Sequence, residues 1–152
     1  MDAERLIEAT RYALAESKAV PDIVAEAWQA QALAEAVGSH LAINGPPTVR
    51  SEALGLSEAG SRACGSLHHP ALRADGVRAT RLTMIGDARC TLLDLAGLLG
   101  ETGAALVSVA VSADEEGLYW QCVEAIDAAD ESGDRVIGIL RRLALRERGG
   151  VA

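Results

Sequence analysis

The densest group of chemically active side chains in this sequence is a run of acids in its C-terminal third. Glu124, Asp127 and Glu131 are spaced by three and four residues, so a helix places all three carboxylates on one face. Carboxylate oxygens are the ligands that Mg²⁺ and Mn²⁺ prefer. These residues are the candidate metal ligands, and a solvated acidic helix face is the favoured alternative interpretation.

The first two of these acids also resemble half of the signature of all-α nucleotide pyrophosphohydrolases. The other half of that signature, two adjacent Glu with a third Glu three residues later, is broken here. Glu115-Glu116 is the only adjacent pair, and the third position is Tyr119. A divalent-metal-dependent nucleotide hydrolase is therefore an alternative function that needs more carboxylates from a neighbouring helix. The natural candidates are Asp94 and Glu101.

Two aromatic–amide clusters suggest a third kind of chemistry, the binding of a small molecule. Trp28 and Gln31 lie on the second predicted helix, and Tyr119 and Gln121 lie on the last. If those helices meet, the four side chains form one pocket in which the amides orient a ligand, as in a metabolite sensor. The favoured alternative places Trp28 and Tyr119 in the core, where their polar tips find hydrogen-bond partners.

Composition and charge narrow the class of protein. The net charge is −8, and an acidic surface repels nucleic acid. The three cysteines are far apart and contain no C-x-x-C motif, which fits a reducing cytoplasm. No cofactor motif is present, so no cofactor is expected.

Composition also favours helices, because Ala and Leu dominate while aromatic residues make up only 3% of the chain. Apolar periodicity and breakers predict an all-α fold, a single-domain bundle over residues 1–152. The order of residues 71–88 is left open. Five helices are predicted, with the longest at the C-terminus: Asp2–Lys18, Asp22–Ile43, Thr48 to about Leu67, Asp87–Val111 and Asp114–Arg148.

Local signals indicate how these helices begin and how closely they pack. Asp2 and Thr48 are candidate N-caps, and Ser112-x-x-Glu115 has the form of a capping box before the last helix. Small residues fill half of the apolar seam of the third helix, so its partner helix is expected to approach closely.

The fourth helix lies in the most apolar stretch of the chain, from Thr91 to Ala113. Asp94 and Glu101 interrupt it seven residues apart, so no membrane span of about 18 uncharged residues is predicted. A helix that is apolar nearly all round is expected in the middle of a bundle, with this acidic stripe as its one wet edge.

The last helix is polarised in charge, with acids from Asp114 to Asp134 and arginines from Arg135 to Arg148. This order complements the helix dipole. It also means that two antiparallel copies would pair acidic half with basic half. With no intact catalytic motif, the leading hypothesis is a non-catalytic helical interaction or regulatory protein that acts as a homodimer.

Three runs of sequence carry a family resemblance: Glu26–Leu33, Asp114–Cys122 and Glu124–Val136. Through them the whole chain resembles a family of short actinobacterial proteins, common in streptomycetes, whose function is unassigned. The resemblance implies a cytoplasmic helical protein and carries over no catalytic residues.

Overall fold

The computed structural model describes residues 1–67 and 76–151, and these form an all-α bundle with a long C-terminal helix, as predicted. Short 3₁₀ turns lie at Pro47–Val49 and Arg78–Arg81. The predicted end of the third helix at His68-His69-Pro70 falls outside the described residues, as do residues 71–75. The five helices are α1 Ala3–Glu16, α2 Val20–Asn44, α3 Arg50–Ser66, α4 Ala88–Ser112 and α5 Glu116–Val151.

Aspartates begin two of the helices, because their carboxylates accept hydrogen bonds from otherwise unpaired amides of the first turn. Asp2 accepts from the Glu4 backbone N–H at 2.8 Å and begins α1, as predicted. Asp87 accepts from the Cys90 backbone N–H at 3.1 Å and begins α4. Pro21 lies in the first turn of α2, where a missing N–H costs no hydrogen bond.

Two predicted helix starts are wrong. Thr48 lies within a 3₁₀ turn, and α3 begins two residues later without a side-chain cap. Ser112 is the last residue of α4 and does not cap α5. Its hydroxyl donates to the Ser108 carbonyl at 3.1 Å. A serine can satisfy its hydroxyl within its own helix in this way, so the capping-box pattern does not by itself mark a helix start.

α5 runs unbroken through Ser132-Gly133, as predicted. Ser132 is fully buried, and its hydroxyl donates to Gln31 Oε1 on α2 at 2.7 Å. This bond ties the middle of the longest helix to the centre of the bundle.

α2 and α3 pack as one antiparallel pair and α4 and α5 as another, while α1 lies across α2 and α4. Leucines from these helices fill the main core, among them Leu33, Leu56 and Leu95. In the α2–α3 contact a Cβ added to Gly38 would lie 2.6 Å from the Ser57 nitrogen. The expected close approach of a partner to α3 is therefore confirmed, and the partner is α2.

A buried polar network holds the segment after residue 75 against α2. Arg78 forms an ion pair with Glu26, and both side chains are about nine-tenths buried. The Arg78 backbone N–H donates to Gln29 Oε1 at 3.0 Å, and Gln29 Nε2 donates to the Gly76 carbonyl at 2.8 Å. This part of the stretch left open by the sequence is therefore ordered.

Candidate functional site

The three predicted metal ligands line one shallow hollow of about 350 Å³ between α3 and α5. Arg62 of α3 also lines it, and its guanidinium pairs with Glu131 at 2.5 Å. The Arg62 guanidinium thus already occupies the position beside Glu131 where a metal ion would lie. Glu124 and Asp127 are exposed beside it.

The further carboxylates that a hydrolase would need lie in a different place. Asp94 and Glu101 line a groove of about 680 Å³ between α1 and α4. Arg11 binds Glu101 through two hydrogen bonds, at 2.5 and 3.0 Å, and this pairing raises the pKa of the guanidinium. The pKa of Glu4 in the same groove is raised, mainly by desolvation and next by repulsion from the Asp2 carboxylate.

The structure therefore does not bring the two carboxylate sets together. Across residues 1–67 and 76–151, no three His, Cys, Asp or Glu side chains are grouped so that they could hold a metal ion. The metal-dependent hydrolase stays a prediction without a structural observation in its favour.

The four predicted ligand-binding residues take different positions. Gln31 is buried and its side-chain oxygen is bound to Ser132, while Gln121 is half-buried. Trp28 packs in a buried cluster that includes Cys122. Tyr119 is exposed, and its ring meets that of Trp120 edge-on with centroids 5.3 Å apart. A pocket shared by the four side chains stays a prediction.

Trp28 instead lines a hollow of about 310 Å³ together with Cys64 of α3. The Cys64 thiol lies 3.6 Å from the Trp28 carbonyl oxygen, to which it donates. Burial raises the pKa of this thiol to about 12, so it is protonated at neutral pH. The thiolate is the reactive form of cysteine, and Cys64 is therefore unsuited to act as a nucleophile.

The feature that sequence reasoning missed is the outer face of α4. Only 39% of the most apolar 18-residue window of this helix is buried. Leu93, Val107 and Val111 project from it into solvent, and Val111 is 82% exposed. The expectation of one acidic wet edge is wrong, because Asp94 and Glu101 line the groove beside α1 while the apolar side of the helix is left uncovered.

Small residues lie between these exposed side chains. We define the α4 outer face by its six positions: Leu93, Gly97, Gly100, Ala104, Val107 and Val111. A Cβ added to Gly100 would meet nothing within 4 Å. Because glycine in a helix interior costs about 0.5–1 kcal/mol relative to alanine, packing within the chain gives no reason for it there.

By length and composition, α4 is also the one helix of the described chain that could cross a membrane. Its inner side packs against α1, α2 and α5 and carries buried leucines such as Leu95 and Leu98. The core helices of soluble proteins have the same length and composition, so this property is weak evidence for a span.

Fold and surface together define a class: a helical bundle whose most distinctive feature is an uncovered apolar helix face. Within that class the chain belongs to DUF6099, a family of unknown function whose model matches residues 1–142. No curated protein and no solved structure matches the chain. The resemblance to a family without an assigned function is thereby confirmed at the level of the family.

Proposed function

We propose that this protein is a non-catalytic helical interaction protein that works in the cytoplasm as a homodimer. The observation that carries the proposal is the α4 outer face, which is apolar, regular and exposed at every position except Gly97, beside which the Arg11 side chain of α1 lies. The proposed partner is a second copy of the chain. Nucleic acid is not proposed, because it is repelled by the net charge of −8.

The energetics favour covering this face. Burial of a Leu or Val side chain is worth about 1.5–3 kcal/mol relative to exposure. The six positions span 18 residue steps, or about 27 Å of helix. A standard interface buries roughly 800 Å² per partner, so the dimer also needs contacts from side chains of α1 and α5 beside the strip.

The face also suits a pair of acidic molecules. None of its six positions carries a charge, and the charged side chains beside Gly97, those of Arg11 and Glu101, neutralise each other as an ion pair. Two chains of like net charge can then meet through a strip whose six positions are uncharged.

A source among actinobacteria is part of the proposal. The chain uses one lysine against thirteen arginines, together with many Ala and Gly, as GC-rich coding favours. The resemblance to short actinobacterial proteins points the same way.

The test is the molar mass of the protein by size-exclusion chromatography with light scattering at about tens of micromolar. The proposal expects twice the chain mass of 15.8 kDa for the unmodified protein and one chain mass for Val111→Asp. A chain mass for the unmodified protein would overturn the homodimer.

The matched control is Ile43→Asp. Ile43 is 77% exposed and is the second-to-last residue of α2, as Val111 is of α4, so both variants place an acid in a last helical turn. Ile43→Asp should remain dimeric. Dissociation of both variants would mean that the added charge alone, and not its place on α4, separates the chains.

A further inference from the structure

We infer that the two copies meet through their α4 outer faces in antiparallel orientation, with the two-fold axis passing level with Thr102. This interface rests on the proposed homodimer and adds its surface, its orientation and its register. Three observations carry it: the spacing of the face, the charge order along α5 and the place of α1.

The spacing of the face reads the same in both directions. The steps between its six positions are four, three, four, three and four residues, with Thr102 at the midpoint. An antiparallel copy centred there sets Leu93 opposite Val111, Gly97 opposite Val107 and Gly100 opposite Ala104. Alternate steps of three and four are the repeat with which two helices interdigitate. The pairs nearest the axis are small, which permits close approach of the helices.

The charges of α5 change sign at the same level. Arg89 of α4 pairs with Glu147 of α5 at 3.0 Å, which sets these two residues at about the same level of the antiparallel helices. Thirteen residues further along α4 is Thr102, and thirteen residues back along α5 is Asp134. The acidic half of α5 ends at Asp134, and its arginine-rich half begins at the next residue.

Because the charge of α5 changes sign at the level of the two-fold axis, a symmetric dimer has complementary charges on its two α5 helices. A two-fold axis that runs across the helices makes the two α4 helices antiparallel and keeps α5 on the same side as its copy. The acidic half of each α5 then lies along the arginine-rich half of the other. Asp127 is seven residues before Asp134 and Arg141 is seven after it, so these two exposed residues are level across the pair.

The opposite orientation fails on the same grounds. A two-fold axis parallel to α4 would instead set α5 and its copy on opposite sides of the interface, so that their charged halves would not meet. Only the antiparallel pair brings opposite charges of the two α5 helices together, and such complementarity fixes the orientation of partners.

α1 supplies the other side of the interface. Its Arg11 binds Glu101, one residue from the axis, which neutralises the carboxylate nearest the contact. Tyr12 follows Arg11 and is 70% exposed. In the antiparallel pair α1 lies beside its copy, so Tyr12 is level with Tyr12 of the second chain.

The test is thiol cross-linking between two variants that each introduce one new cysteine, Leu93→Cys and Val111→Cys. Both variants also carry Cys90→Ser. The other native thiols are a buried Cys122 and Cys64, whose pKa is about 12. In the antiparallel register position 93 meets position 111, whereas each position lies about 27 Å from its own copy. A short bifunctional thiol reagent should therefore link about half of the chains in an equimolar mixture and few in either variant alone.

The outcomes separate this interface from the homodimer itself. Cross-linking of each variant with itself would establish a parallel pair and overturn the inference. A protein that has twice the chain mass but gives no cross-link would also overturn the inference, and it would leave the homodimer standing through another face. A monomer in light scattering would overturn both.

A charge exchange gives a second measurement that does not depend on the new cysteines. Arg141→Asp should weaken the dimer by about twofold to thirtyfold, because symmetry removes two exposed ion pairs and sets Asp against Asp in both places. Adding Asp127→Arg to the same chain should restore the affinity, since each Arg then faces an Asp of the other copy. An affinity that falls further in the double variant would contradict the register.

Discussion

Two helix faces of this protein contain glycines, and their surroundings are opposite. In the α2–α3 seam a Cβ on Gly60 would lie 2.7 Å from both the backbone carbonyl oxygen of Gln31 and the backbone nitrogen of Glu35. On the α4 outer face a Cβ on Gly100 would meet nothing within 4 Å. Backbone contact therefore explains Gly60, whereas no contact within the chain explains Gly100; at Gly97, on the same face, an added Cβ would meet only the end of the Arg11 side chain.

The difference separates the two uses of a small-residue helix face. In the α2–α3 seam the glycines let two segments of one chain pack backbone to backbone, and their cost is offset inside the fold. On α4 the cost is offset only if a surface from outside the chain comes as close. The comparison thus assigns the seam to folding and the α4 outer face to association.

The largest effect is expected from filling the seam. Gly60→Val should lower the free energy of unfolding by about 3 kcal/mol, because backbone atoms of α2 block the new side chain and cannot move independently. Urea denaturation measures the loss. Gly100→Val, placed in the monomeric Val111→Asp background, should cost less than about 1 kcal/mol. Equal losses would contradict the distinction between the regions.

The next largest effect concerns association alone. Leu93→Asp should weaken the dimer by about 30-fold or more, because it removes a buried aliphatic contact and adds a charge to an apolar contact. The free energy of unfolding of the monomer should change by less than about 0.5 kcal/mol, since Leu93 is exposed within the chain. A dilution series by light scattering gives the first quantity and urea denaturation the second. A large loss of monomer stability would mean that Leu93 serves the fold.

A smaller change distinguishes the two roles by sign. Gly100→Ala should stabilise the folded monomer by about 0.5–1 kcal/mol, because alanine is the better helix former and has open space there. The same change should weaken the dimer, since two added methyl groups lie near the two-fold axis. Stabilisation of both states would show that the helices do not approach closely at Gly100.

The smallest effect compares the accessibility of two thiols. Cys64 lies beside the α2–α3 seam, and Cys90 is exposed in the first turn of α4. At pH 8 an alkylating reagent should modify Cys90 faster, although Asp87 also raises the pKa of its thiol. Mass spectrometry of digested peptides gives the two rates, and faster modification of Cys64 would contradict the packing of the seam.

The pH dependence of Cys64 has a definite sign. Its pKa in the fold, about 12, lies above that of an unfolded thiol, about 8.5. Its contribution to stability is therefore fully present below about pH 8.5 and is lost as the pH rises towards 12. Replacement by Ser should flatten the fall of stability in that window, which urea denaturation at several pH values measures.

The sequence predicted much of the fold because the signals for helices are local. Asp2 begins its helix by bonding an amide two residues away, and apolar periodicity predicted the unbroken α5. The same local reasoning failed at Thr48 and Ser112. A hydroxyl can serve its own helix as well as cap the next, and tertiary packing decides which.

The candidate site was less predictable because it depends on which side of a helix is covered. The composition of α4 predicted a helix in the middle of the bundle, which holds only for its inner side, and composition does not say which neighbours the helix has. Only the positions of α1 and α5 leave the side with Leu93 and Val111 uncovered and direct Glu101 to Arg11. One signal was present in the sequence, the regular spacing of the six positions, and its meaning required the structure.

The most direct test of the central claim is sedimentation equilibrium of the unmodified protein over a dilution series. The account predicts a mass of twice 15.8 kDa that falls to 15.8 kDa on dilution, with the transition shifted to higher concentration by Val111→Asp and unchanged by Ile43→Asp. A mass of 15.8 kDa at every concentration would contradict it.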